Sequence, residues 1–261
     1  MDRFTKNQSI FIKGVLTIDA AHVNVEDSLS TRLVIATQDQ LLDTVIEQFH
    51  NVTAIKQAAL DTKDLLKGDC VYIVGKLLWL ESEYLIQSIE QERTAEVIAM
   101  SAEKISDISL DDSYQMMVVS GPVVTQPEYT ASMTGAITRS LILTTDKIIH
   151  DDIDQSHNIL AIDKLAVELK DFVDGDDVEV VARLLWLNSE DYTGETIIDE
   201  RAVEVIAERI TGQKRSITSV EERSKRVEQN ILSLSNRIKN NENSGAAYIQ
   251  SVLNKLNGDD K

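Results

Sequence analysis

One cysteine and two prolines are all that this 261-residue chain holds of two strongly structure-marking residue types, and aromatic residues make up only 5% of it. A lone Cys70 excludes an internal disulfide and has no thiol partner for a metal, so it reads as a structural residue at the start of a strand. Two prolines leave no rigid proline-rich linker. No stretch reaches the roughly 18 apolar residues of a membrane helix, and Met1–Gln8 lacks the basic-then-apolar order of a secretory signal. A soluble, cytoplasmic protein with no membrane contact is therefore expected. Catalytic signatures are missing too. His22, His50, His150 and His157 are not at metal-ligand spacing, and neither a glycine-rich phosphate loop nor a G-x-S-x-G elbow occurs. The acidic run His150–Asp154 lacks the glycine and distal glutamate of a calcium loop and reads as a solvated loop. No enzyme, no metal and no cofactor are expected.

Basic charge is also scarce. The net charge is −18, divided as −7 over residues 1–110, −14 over 111–211 and +3 over 212–261. A basic footprint on the middle block, of the kind that drives salt-dependent phosphate binding, is excluded.

What the chain does have is a duplication. Gly68–Leu80 (GDCVYIVGKLLWL) returns as Gly175–Leu187 (GDDVEVVARLLWL) at a shift of 107, and Glu92–Ala99 matches Glu200–Ala207 at 108. Gly14 pairs with Gly121, and Thr31–Ile35 with Thr138–Ile142. A period this long is a domain duplication, and each copy is large enough to bury its own core. The boundaries expected are 1–108, 109–211 and a third segment, 212–261.

Within the first copy, strands are expected at Ser9–Ile18, broken at Gly14, and at Leu29–Thr37, Val52–Ile55, Cys70–Leu80 and Thr94–Ala99. Leu41, Leu42, Val45, Ile46 and Phe49 fall on one helical face and suggest a helix over Gln38–His50; a second helix, Ala58–Leu66, stops before Gly68. The second copy reads as strands Gln115–Val124, Thr134–Thr144, His157–Ile162, Asp177–Leu187 and Ala202–Ala207, with a helix at Lys164–Phe172. Pro122 after Gly121 suggests a bulge or an edge. The fold class expected is all-β with a helical C-terminal segment: two tandem five-stranded OB-fold barrels, each with a short helix before the fourth strand. In the third segment Ile217, Val220, Ser224, Val227, Ile231, Leu234 and Ile238 form a heptad seam. That seam makes a homo-oligomer through 217–238 or packs back on a barrel.

Several short stretches resemble the bacterial single-stranded-DNA-binding protein family. Ile12–Asp19 is similar to its I-G-R-L-T-x-D, Leu65–Leu77 to its L-x-K-G-x-x-V-x-V-x-G-x-L, and Arg93–Ala99 to its Y-x-T-E-V-V-A. His157–Ala166 is similar to W-H-R-V-V-x-F-G-K-L-A, with Ser156 where the tryptophan would stand and Asp163 in place of the glycine. The resemblance covers residues 9–105 and 115–210. It implies binding of single-stranded DNA without sequence preference, in replication or recombination of a phage, plasmid or bacterial genome, by stacking bases on aromatics in a basic groove. The stacking candidates it implies are Phe49, Tyr72, Trp79 and Tyr84 in the first copy and Trp186 and Tyr192 in the second. For both tryptophans packing inside Leu-Leu-Trp-Leu is the alternative. Lys13, Arg32, Lys76, Arg93, Arg139, Arg183 and Arg201 are strand positions that track phosphates or face solvent. The first copy, less acidic, is expected to do most of the binding. The chain ends Asn257-Gly258-Asp259-Asp260-Lys261, unlike the apolar-tipped acidic tail by which the family recruits replication or recombination proteins. A protein-interaction scaffold that reuses the barrel pair is the rival reading.

Overall fold

The computed structural model describes residues 6–25, 28–41, 44–80, 93–133, 135–148, 151–187, 192–197 and 201–213. Tyr84 and the seam 217–238 lie outside the described residues.

The chain forms β1 (Asn7–Leu16), β2 (Ala21–Val25), β3 (Ser28–Leu41), β4 (Thr44–Ile55), α1 (Lys56–Thr62), β5 (Cys70–Trp79) and β6 (Arg93–Lys104). The second half repeats these in order as β7 (Tyr114–Pro122), β8 (Glu128–Ser132), β9 (Gly135–Ile148), β10 (Asp151–Ile162), α2 (Lys164–Leu169), β11 (Asp177–Trp186) and β12 (Ala202–Gln213). The fold is mostly β, with two short α-helices and one 3-10 turn, Leu110–Asp112, among the described residues. Strict alternation drives it: in β1 Ile10, Ile12 and Leu16 point inward while Phe11 and Lys13 point outward, and β11 alternates likewise.

All twelve strands join one sheet in the order β2-β3-β4-β6-β5-β1-β7-β11-β12-β10-β9-β8. In the first half, β1 also pairs with β3 through Val15↔Ala36 and Leu16↔Ile35, closing the circuit β1-β5-β6-β4-β3. A Cβ on Gly14 would run into the carbonyl of Ala36, and one on Gly121 into that of Leu143, so only glycine allows this crossing. In the second half the bridge Val123↔Ile142 brings the chain just past β7 to β9. Pro122 ends β7 opposite Asp177.

The halves meet where β1 pairs antiparallel with β7, from Asn7↔Ser120 to Lys13↔Tyr114, and where β6 touches β12 at Ala202↔Thr94 and Val203↔Arg93. One apolar cluster runs through both halves, including Ile12, Leu77 and Val97 from the first and Val180, Leu184 and Val205 from the second.

The helix expected over Gln38–His50 is corrected to a β-hairpin: β3 runs on to Leu41, and β4 returns from Thr44 with Gln38↔Glu47 and Ile35↔His50 opposed. The apolar spacing fitted a helix, but β-branched Val45, Ile46, Val52 and Thr53 favour an extended chain, and Gln48 and His50 gain buried partners only as strand residues. Strands β2 and β8, which edge the sheet, were not expected. Both helices start close to where the sequence places them and end early.

Candidate nucleic-acid interface

The two tryptophans occupy a seam between the halves. Trp79, at the end of β5, is 8% exposed, and Trp186, at the end of β11, is 2% exposed. Trp186 Nε1 donates to His50 Nδ1 at 2.9 Å, and Trp79 Nε1 donates to His157 Nδ1 at 3.2 Å. Each indole thus reaches into the other half. An indole N–H only donates, so each Nδ1 is an acceptor and each neutral imidazole carries its proton on Nε2. His50 Nε2 then donates to Thr37 Oγ1 at 2.8 Å, and Thr37 to Asp39 Oδ2 at 3.2 Å. In the second half His157 Nε2 donates to Thr144 Oγ1 at 2.9 Å, and Thr144 to Asp146 Oδ2 at 2.6 Å. Burial, and secondly the charge of Arg201, pushes His50 down to about 3. Burial takes His157 to about 3 as well, against the opposing pull of Asp146.

Glutamines complete the seam. Gln8 accepts from the Leu77 N–H at 2.9 Å and donates to the Leu77 carbonyl at 2.8 Å; Gln115 does the same at Leu184, at 2.9 and 2.6 Å. Gln155 and Gln48 accept from the backbone N–H of Trp79 and Trp186. Every member has its counterpart at a shift of 107: Gln8 and Gln115, Thr37 and Thr144, Asp39 and Asp146, Gln48 and Gln155, His50 and His157. Sequence reading missed this set, although buried polar residues retained in both copies while the surface diverged were the signal.

The basic candidates are mostly engaged. Arg93 lies over the Trp79 ring at 4.2 Å and donates to the Ser156 carbonyl at 2.6 Å. Arg201 lies 4.9 Å from the Trp186 ring and 4.6 Å from the Tyr192 ring, and it donates to the Phe49 carbonyl. Burial lowers Arg201 to about 10. Lys76 is paired at 2.9 Å with Asp146, whose side chain is fully buried. Arg139 pairs with Glu204 at 2.7 Å, Arg183 pairs with Glu208, and Arg32 is buried.

Two places keep expected residues accessible. Lys13 stands opposite Tyr72 on one side and Tyr114 on the other, a row across β5, β1 and β7. Tyr114, which sequence reading did not single out, is 42% exposed; partial burial, then its hydrogen-bonded neighbour Tyr72, raises its hydroxyl. The second place is an open groove of about 550 Å³ over the first half, lined by Val15, Ala36, Phe49, Lys67 and, from the second half, Tyr192 and Glu195. Phe49 is buried there beneath Tyr192, the rings 5.5 Å apart and edge to face. Lys67 was not among the expected contacts. Among the described residues no group of His, Cys, Asp and Glu could hold a metal, and no helix is long and apolar enough to cross a membrane.

No family model and no curated protein matches the chain. Solved structures do. The wild-type single-stranded DNA binding protein from Thermus aquaticus aligns at 17% identity over 83% of this chain and 97% of that one, with a TM-score of 0.63. A deletion mutant of the same protein aligns at 17% identity over 82% and 98%, also at 0.63. At that identity the likeness establishes the fold.

Proposed function

We propose that the chain is a pair of tandem OB-fold barrels, 1–108 and 109–211, that binds single-stranded DNA without sequence preference, a non-enzymatic cytoplasmic protein of replication or recombination. The observation that carries this is the match of fold over nearly the whole length of a solved single-stranded DNA binding protein, joined to the family-like motifs in both copies. Contacts fall mainly on the first half, with Tyr114 added from the second. Lys13 and Tyr72, with Tyr114, supply a cation beside two aromatic rings on the outer sheet, and the groove over Phe49 offers Lys67. Stacking on exposed rings is worth about 1–3 kcal/mol per base and tolerates any sequence. Self-association through 217–238 would multiply such weak sites.

The test is fluorescence anisotropy with a labelled oligo-dT of about 35 nucleotides, long enough for two barrels, at low and moderate salt. Binding that weakens with salt is expected; no binding at low salt sinks the proposal. A specific observation favours the scaffold reading in that case: both tryptophans and most of the strand arginines are committed to internal partners.

A further inference from the structure

Phe49, on the wall of the open groove, is covered by the chain itself. Tyr192–Ile197 belongs to the connection between β11 and β12 of the second half, yet it lies on the first. Tyr192 sets its ring edge-to-face on Phe49, and its hydroxyl donates to the Thr196 carbonyl at 2.8 Å, curling the segment on itself. Thr17, just past β1, donates to the Gly194 carbonyl at 2.5 Å. Lys67 pairs with Glu195 at 3.5 Å. Ile197 rests on the apolar group formed by Val34, Ala36 and Phe49. Gly194 has φ +72, and a Cβ there would strike the Phe49 ring, so the close approach depends on glycine.

These ties share a character. The ion pair is exposed on both sides, 61% and 69%, the kind that contributes little. The rest is one hydroxyl bond to backbone, one aromatic edge contact and one aliphatic side chain, with the Tyr192 ring also lying 4.6 Å from the Arg201 guanidinium. An aromatic ring on Phe49 followed, three residues on, by a carboxylate on Lys67 presents the same pair of groups as a nucleotide: a planar ring and an anion. The other half lacks the counterpart, because Ser156 stands where Phe49 stands in the first.

We propose that Tyr192–Ile197 is an intramolecular occupant of a nucleotide site formed by Phe49 and Lys67, and that single-stranded nucleic acid binds there by displacing it. The inference rests on the single-strand reading above and adds regulation to it: apparent affinity is reduced by the fraction of time the strap lies in place. Once the strap lifts, Phe49 gains an open ring face, Lys67 loses its carboxylate, and Glu195 leaves the path of the phosphates.

Three variants loosen the strap by separate means: Tyr192→Ser removes the ring, Glu195→Gln the charge, and Gly194→Ala the close approach. Each is titrated with the labelled oligo-dT beside the wild type, with circular dichroism and the melting midpoint confirming the fold. Tighter binding in all three is expected, by about fivefold for a strap seated four-fifths of the time. Weaker binding by Tyr192→Ser would make Tyr192 a stacking platform and overturn the proposal, and so would unchanged affinity in folded Glu195→Gln and Gly194→Ala. If neither wild type nor variants bind at low salt, the single-strand reading fails and the strap has nothing to exclude. If only the wild type and not the variants' gain is seen, the strap alone is refuted.

Discussion

Trp79 of the first half and His157 of the second are joined by an indole-to-imidazole hydrogen bond of 3.2 Å, and Trp186 and His50 repeat the bond in the opposite direction. The two halves are therefore locked by a reciprocal exchange of the same two residue types. Replacing Trp79 with Phe leaves a buried imidazole nitrogen without its donor, at a cost of about 1–3 kcal/mol, with cavity loss added. Urea unfolding should register that destabilisation, while affinity of the folded variant for oligo-dT stays within about twofold of wild type. A large loss of affinity at unchanged stability would return Trp79 to the binding surface.

Acid should loosen this lock. His50 and His157 titrate near 6.5 when exposed and at about 3 in the fold, so between those values the unfolded chain takes up protons that the folded chain refuses. Stability is full above about pH 6.5, falls as pH drops towards 3, and levels below it. Asp39 works against the trend, because burial raises its carboxyl above the ordinary value and the folded state gains a proton there at acid pH. Two histidines outweigh one aspartate. Urea midpoints at several pH values between 7.5 and 4 should decline steadily; a flat profile would mean that the histidines are not buried neutral.

Lys76, expected to track phosphates or face solvent, pairs with Asp146 across the halves. Asp146 is fully buried, so Lys76→Met leaves a carboxylate with its hydrogen bonds from Thr144 and the Gln8 N–H but without its cation, and loss of one partner of a buried pair costs about 3–5 kcal/mol. Lys76 itself keeps 19% of its side chain exposed, which places the expected value at the lower end. Thermal unfolding measures the loss. The salt dependence of oligonucleotide binding should be the same as in the wild type, which a phosphate contact would not allow.

Five of the six strands in each half, and the helix before the fifth, were legible because alternation and the repeat at 107 are local or self-comparing signals. Gly14 and Gly121 announced the tight crossing by recurring. The hairpin of β3 and β4 was misread because Leu41, Leu42, Val45, Ile46 and Phe49 satisfy a helical period; the second copy, read without a helix over the corresponding Thr145–His157, already contradicted it. The fate of the tryptophans was not legible. Leu-Leu-Trp-Leu is compatible with either sheet face, and only the pairing of β1 with β7 brings His157 beside Trp79. For the arginines, spacing along a strand says nothing of a glutamate or carbonyl arriving from another strand.

Lys13 and Tyr72 lie on the outer face, where alternation in β1 and β5 puts them opposite each other. If this row contacts a strand, Tyr72→Ala removes one stacking surface and should weaken oligo-dT binding by about 1–2 kcal/mol, roughly five- to thirtyfold. Lys13→Gln should weaken binding equally for all sequences and lower the slope of log affinity against log salt by about one. Both side chains are half-buried on a sheet held by pairing on either side, so melting should shift little. The two variants read different physics, ring and charge. A loss in Tyr72→Ala that is independent of salt, beside a reduced salt slope in Lys13→Gln, would identify the row as a contact. Wild-type affinity and slope in both would leave the groove over Phe49 as the path of the strand.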